Sequence, residues 1–361
     1  MDDALINERT QRPTAGTTCW KYACVCCTVL AIGLGASCVY LYEKDAHHAS
    51  LTPPPALPST PPSPPPIWRP VVPTVTLNNG VVMPFISLGT FNLHGELLIR
   101  TMRLALKVGF NHFDTANRYG NEGDFGRALA DVERDTVFVT TKVFPAPNNA
   151  DNYNYTMHQL NGNLRALNMS YADLVLVHWP PAQNTAHCDV MREGWRAMED
   201  FYRAGKARAI GVSNYCVSSL VCILKTATVT PAVNQVQYHV GMGANPLSPI
   251  GKLRTYHKGV GILTQAYSPL GGWTGASHEL INGQLVTGIG AAHGNTGAQV
   301  SLNWLYRHAV PFSAKSVSRV HLEENLRIFT MRLTDEDMGM LDNATKPGLP
   351  GKEGQYSFQC H

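Results

Sequence analysis

A carboxylate, an amine and an imidazole stand at the ends of three successive apolar runs, and a phenol follows the first of them. Asp114 closes HFDT, Tyr119 comes five positions later, Lys142 closes TVFVTTK, and His178 closes the apolar part of DLVLVHW. A tyrosine gives up its proton reluctantly, because its ordinary pKa lies near 10. A close ammonium stabilises the phenolate and lowers that value. Lys142 suits the part of the ammonium, with Asp114 to hold and charge-balance it. With His178 orienting a carbonyl oxygen beside the hydroxyl, Tyr119 would donate a proton to an oxygen that turns negative as hydride reaches the carbon.

These residues need elements that bring run ends together. From residue 74 the chain alternates short apolar runs with longer amphipathic stretches. The runs are ISLGT (86–90), HFDT (112–115), TVFVTTK (136–142), DLVLVHW (173–179), ARAIGVSN (207–214), AVNQVQYH (232–239), GILTQAYS (261–268) and AVPFSAKS (309–316). Helix candidates between them include 95–108, 152–167, 190–204 and 293–307. Several runs are apolar on both strand faces, as parallel strands covered on both sides should be. The expected fold class is therefore α/β, a (β/α)8 TIM barrel, opened by a β-hairpin around Asn78-Asn79-Gly80 in VTLNNGVVMPF. In such a barrel every strand end faces one rim, where active sites form. Taken singly, Asp114 reads as a cap, Lys142 as a solvated strand end and His178 as a structural histidine. Eight polar strand ends in a row read better as one site.

The chain from about residue 74 to 345 resembles an aldo-keto reductase. GFNHFDTANRYGNE matches that family's signature, and TTK, LVLVHWP, GVSNY, PAVNQVQYH, AYSPLG and AKSVSRVHLEEN follow in its order and spacing. The resemblance implies NADPH-dependent reduction of aldehydes and ketones by Asp114, Tyr119, Lys142 and His178. It implies that Ser213, Asn214 and Gln235 hold the nicotinamide amide and that Tyr267 stacks on its ring. Thr90 and Asp114 join the cofactor set, Ser268 and Leu270 line the pyrophosphate path, Lys315 and Ser316 meet the 2′-phosphate, and Glu324 and Asn325 meet the adenine. Two departures bear on the cofactor. Ala314 stands where the family has proline, and His321 where it has arginine, with Arg319 two residues earlier. A neutral histidine offers a phosphate less than a guanidinium does, so NADPH is expected to remain preferred, through Lys315, by a smaller margin. The substrate pocket is expected to involve His178 and Trp179, the latter as a wall or as core packing.

Other features bound the rest. A net charge of +3 and the lack of a long basic run argue against nucleic acid. His47-His48 reads as spacer, and no metal is expected. Cys188, Cys216, Cys222 and Cys360 are expected to be buried thiols. Residues 22–42 carry no charge, which suggests a single-pass membrane anchor after a tail at 1–21. A Pro-rich linker at 43–72 would then hold a monomeric barrel, 73–361, off the bilayer. Arg9, Arg12 and Lys21 before the span outnumber Lys44 after it, a weak bias for a lumenal or external barrel. Two other functions compete: a non-catalytic NADP(H)-binding sensor or auxiliary subunit on the same barrel, and a glycosidase. The second needs two flanking carboxyls, and the strand ends supply only Asp114.

Overall fold

The computed structural model describes residues 71–144, 151–181, 188–272 and 277–345. A short antiparallel hairpin, β1 (Thr74–Thr76) with β2 (Val82–Pro84), opens the described chain. Eight parallel strands follow: β3 (Ile86–Gly89), β4 (His112–Asp114), β5 (Phe138–Val143), β6 (Ala172–Val177), β7 (Ala207–Ser213), β8 (Val233–Gln237), β9 (Leu263–Tyr267) and β10 (Phe312–Ala314). They close in sequence order, with β10 pairing back onto β3. The helices are α1 (Gly95–Val108), α2 (Glu122–Ala128), α3 (Asn152–Leu167), α4 (Cys188–Arg203), α5 (Val217–Leu224), α6 (Pro249–Val260), α7 (Ser277–Ile281), α8 (Gln284–Ala292), α9 (Gly297–Arg307), α10 (Arg319–Arg327) and α11 (Asp335–Asp342).

Local chemistry explains these bounds. α1 buries Leu98, Thr101, Met102, Ala105 and Val108, one stripe at helical spacing. Burying each large apolar side chain of that stripe contributes roughly 1.5–3 kcal/mol. Asp151 caps α3 by accepting from the Asn154 amide at 3.1 Å. Thr296 and Gln299 form a reciprocal capping box at the start of α9. β5 and β6 are buried on both faces, between the barrel interior and the helices. Gly211 of β7 has no room for a side chain, since a Cβ there would lie 2.5 Å from the Val233 carbonyl oxygen. The hairpin packs Leu77 and Met83 against Phe138, Leu174, Leu176, Ala209, Ala232 and Val233. Asn78 and Asn79 fix it there by donating to the Pro231 carbonyl at 3.1 Å and the Arg208 carbonyl at 2.9 Å.

The strand register sets the site. Asp114 lies beside Thr140 and Lys142 beside Leu176. Alternation along β5 then places Thr140 and Lys142 on one face and Thr141 on the other. His112 bonds Thr140 Oγ1 through Nε2 at 2.9 Å, so that shared face is the barrel interior.

Four expectations need correction. The single-pass membrane localisation is not upheld. Among the described residues no helix is long and apolar enough to cross a membrane. The longest there, α3 and α4, have 16 residues each, about 24 Å of amphipathic helix against a hydrocarbon core of about 30 Å. Residues 1–21 and 22–42 and all but the end of the linker lie outside the described residues, as does the tail from residue 346. The body cysteines are not all thiols: Cys188 of α4 is disulfide-bonded to Cys222 of α5, with Cα atoms 5.1 Å apart, and Cys216 is disulfide-bonded as well. The helix expected at 293–307 starts at Gly297, because His293 ends α8 and Thr296 begins a new cap. Finally, β10 stops at Ala314, so Lys315 and Ser316 lie just beyond the strand.

Candidate active site

Asp114, 3% exposed, and Lys142, 1% exposed, meet at the upper end of the barrel interior. The Lys142 ammonium donates to Asp114 Oδ1, to the Thr115 carbonyl at 3.1 Å and to the Tyr119 hydroxyl oxygen at 3.4 Å. Gln235 donates to the other carboxylate oxygen, Oδ2, at 2.8 Å and to Gln265 Oε1 at 3.0 Å. The Asp114 carbonyl accepts from the Thr90 amide at 3.0 Å and the Thr90 hydroxyl at 2.9 Å. A buried ion pair is tolerable only when its remaining donors and acceptors are met, as they are here. Tyr119 enters on a single tight turn, Asn117–Tyr119, ended by Gly120 in a left-handed conformation (φ 63°) that favours glycine. Asn117 anchors that turn by donating to Asn163 Oδ1 of α3 at 3.0 Å.

His178 follows β6 and stands across Tyr119, the ring centroids 5.7 Å apart and the planes at 76°. Its Nδ1 is buried with no hydrogen-bond partner among the described residues. Burial, helped by the positive charges of Lys142 and Arg118, holds this imidazole well below its ordinary pKa, so it is neutral at pH 7. Burial opposes charge on Lys142 too, but Asp114 and Tyr119 outweigh it and push its pKa up. Tyr119 departs from expectation. Burial raises its pKa by more than Lys142 lowers it, so the phenol is a firmly protonated donor before reaction. The ammonium occupies a lone pair of the phenol oxygen and leaves the O–H to point elsewhere.

Beside the tetrad lies a second cluster. Asn214, at the end of β7, has a left-handed backbone (φ 64°), as does Ser268 after β9 (φ 49°). Strained conformations of this kind gather at binding sites. Asn214 Nδ2 donates to the His178 carbonyl at 3.0 Å, and its Oδ1 accepts from the Tyr267 hydroxyl at 2.9 Å. Ser213 donates from Oγ to the Gln235 carbonyl at 2.8 Å. Tyr267, Trp179 and Leu270 are half-buried. Farther along the rim Lys315 is exposed and donates to the Phe91 carbonyl at 3.1 Å, and Ser316 Oγ accepts from the Ser318 amide at 3.1 Å. Arg319 pairs with Glu323 at 2.8 Å, and His321 is exposed. Glu324 and Asn325 follow on α10, the latter buried, the former accepting from Gln299 at its carbonyl oxygen at 3.1 Å.

These residues fit a nicotinamide dinucleotide phosphate. Tyr267 offers a half-buried ring pinned by its hydroxyl, Lys315 an exposed cation, and α10 a first turn whose N-cap Ser318 makes no side-chain capping bond. Free first-turn amides of a helix suit a phosphate. Thr90 is wholly buried and already bonded to Asp114, so its side chain supports the site from below.

Residues 86–346 match the Aldo/keto reductase family. The chain belongs to that family. A glyoxal reductase of Bacillus subtilis is 37% identical to it over 276 residues, 76% of this chain and 93% of that protein. A morphine 6-dehydrogenase of Pseudomonas putida is 34% identical over 282 residues, 75% of this chain and 90% of that protein. Among solved structures, the aldo-keto reductase MGS-M4 from a Medee basin deep-sea metagenome library shares 32% identity at a TM-score of 0.69, over 79% of this chain and 98% of that one. An aldo-keto reductase crystallised with NADPH shares 27% identity at a TM-score of 0.66, over 76% of this chain and 88% of that one. As an aldo-keto reductase the chain is an NADP-dependent oxidoreductase with NADPH as its cofactor.

Several residues of the site were missed in the sequence. Gln265 completes the Asp114–Gln235 chain, and Asn121 joins the strand ends by donating to the Thr90 and Leu93 carbonyls, each at 2.9 Å. Phe91 and Phe144 flank Tyr119 and His178 edge-on, with centroids 5.1 and 6.0 Å away. Glu122 and Asn163 lie behind Lys142. Alternation along β5 was the available signal for the last two, since Thr141 turns away from the barrel.

Proposed function

We propose that this aldo-keto reductase reduces aldehydes and ketones to alcohols, with Tyr119 as proton donor. NADPH, when bound, supplies the hydride that the carbonyl carbon accepts. His178, neutral, donates a hydrogen bond from its other ring nitrogen, Nε2, to the carbonyl oxygen and fixes it beside the phenol. Tyr119 passes its proton to that oxygen as charge develops there. Lys142, at 3.4 Å, stabilises the phenolate left behind, and Asp114 and Gln235 hold the ammonium in place. Ser213, Asn214 and Gln235 are assigned to the nicotinamide amide and Tyr267 to its ring. Ser268 and Leu270 are assigned to the pyrophosphate, Lys315 and Ser316 to the 2′-phosphate, Glu324 and Asn325 to the adenine.

The observation that carries this reading is the approach of the Lys142 ammonium to the Tyr119 hydroxyl beside a neutral imidazole. For substrate class, the half-buried Trp179 and the exposed edge of Phe91 suit small aldehydes, and the glyoxal reductase relative agrees with that choice. Loss of NADPH absorbance is followed with an aromatic aldehyde and with glyoxal, for wild type and Tyr119→Phe. Wild type turns over and the variant does not. Absence of wild-type turnover with both substrates would overturn the proposal.

A further inference from the structure

Behind the tetrad lies a carboxyl that the reaction above does not use. Glu122 opens α2, three residues after Tyr119, and is 5% exposed. Its Oε1 accepts from Thr141 Oγ1 at 2.5 Å. Thr141 is the residue before Lys142 on β5 and faces the helices, where Asn163 of α3 meets it. Asn163 Nδ2 donates to Thr141 Oγ1 at 3.2 Å and to the Lys142 carbonyl at 3.1 Å, while its Oδ1 accepts from Asn117 in the Tyr119 turn at 3.0 Å. One polar chain thus joins Glu122 to the backbone of the catalytic lysine and to the turn that carries the catalytic tyrosine.

We propose that Glu122 is a positioning residue for Lys142 and Tyr119, and that its charge sets how strongly the Lys142 ammonium favours the phenolate. The inference rests on the reductase reading above. Lys142 of β5 is the cation that acts on this carboxyl. Asp114 of β4 pairs with the same ammonium, and α3 presents the neutral Asn163. On α2 itself Asp124 pairs with Arg127 at 2.7 Å, and Arg103 of α1 pairs with Asp131 at 3.3 Å. Burial pushes the Glu122 carboxyl up to about 7, against the opposing pull of the Thr141 hydroxyl and Lys142. Below that value Glu122 is neutral and the ammonium faces one carboxylate, Asp114. Above it a second negative charge, behind the strand, also acts on the ammonium, and its support for the phenolate weakens. Reduction therefore slows as pH rises through neutrality.

Two readouts test this, one independent of turnover. Infrared difference spectra of the full chain, with and without NADPH, should show a protonated-carboxyl band that titrates out near pH 7 and is missing in Glu122→Gln. In Thr141→Val the midpoint should move up, because the hydroxyl that favours the anion is gone. In kinetics, kcat/KM for aldehyde reduction should fall roughly three- to tenfold between about pH 6 and pH 8, a coupling of up to about one pK unit. Glu122→Gln should hold the low-pH value throughout. An absent band overturns the inference whatever the activity. A variant profile parallel to wild type but uniformly lower also overturns it, leaving Glu122 a structural group. A wild type without turnover removes the reductase reading, and the positioning role with it, while the band still reports the carboxyl.

Discussion

Gln235 and Asp114, 121 positions apart in sequence, meet at 2.8 Å, amide nitrogen to carboxylate oxygen. The contact gives the inner carboxylate a second donor beside Lys142 and anchors it from β8 across the barrel. Gln235 therefore has a structural task distinct from any contact with cofactor. Gln235→Leu strands the Asp114 oxygen without a donor, and a buried acceptor so left costs about 1–3 kcal/mol. Urea denaturation should show that loss. Wild-type stability in the variant would mean the contact contributes nothing.

The sign of the His178 shift makes a separate prediction. An imidazole needed in its neutral form ordinarily adds a rising limb near pH 6.5. Burial and the neighbouring cations hold His178 well below that value, so reduction should show no loss between pH 7 and 6 from this group. A rate that rises from pH 6 to 7 in wild type and in Glu122→Gln alike would contradict it.

The end proposed for the 2′-phosphate has one exposed lysine, Lys315, and an exposed histidine, His321. Arg319 is engaged with Glu323 at 2.8 Å, an exposed pair that a phosphate must share or break. Lys315→Met should therefore cost NADPH roughly ten-fold or more in affinity, about what one charge-assisted contact contributes, and leave NADH binding nearly unchanged. Fluorescence titration with both nucleotides reads this directly. Equal wild-type affinities would remove the assigned role of Lys315.

Acid should weaken the fold through its interior. His112 is fully buried and bonded to Pro84 and Thr140, and burial pulls it down to about 4. Between about pH 6.5 and pH 4 the unfolded chain binds a proton there that the folded chain does not, so stability falls as pH falls. The loss from this group is about 3 kcal/mol. His112→Gln should flatten the pH dependence of urea midpoints across that window, and a slope equal to wild type would exclude His112 as its source.

Much of this was readable before any coordinates. α1 and α3 were expected at 95–108 and 152–167 and occupy those residues, because Gly109 ends the first and Asp151 and Asn168 bound the second. Asp114, Lys142 and His178 were found by looking where parallel strands stop. What escaped depends on distances through space. The net rise in the Tyr119 pKa comes from burial, which no spacing reveals. Thr141, Asn163 and Glu122 read as ordinary core and helix positions until α2 and α3 are packed on β5. The membrane reading came from residues 22–42, outside the described structure.

The Cys188–Cys222 bond ties the start of α4 to α5 across 34 positions, and a loop of that size contributes roughly 3–4 kcal/mol in the chain-entropy picture. Two samples of one polypeptide, handled with and without a thiol reagent, are then different materials. The reduced one should melt earlier while the Asp114–Lys142–Tyr119 cluster, held by β4, β5 and the turn after β4, stays assembled. Resistance to heat thus becomes a gauge of oxidation history, separable from competence in turnover.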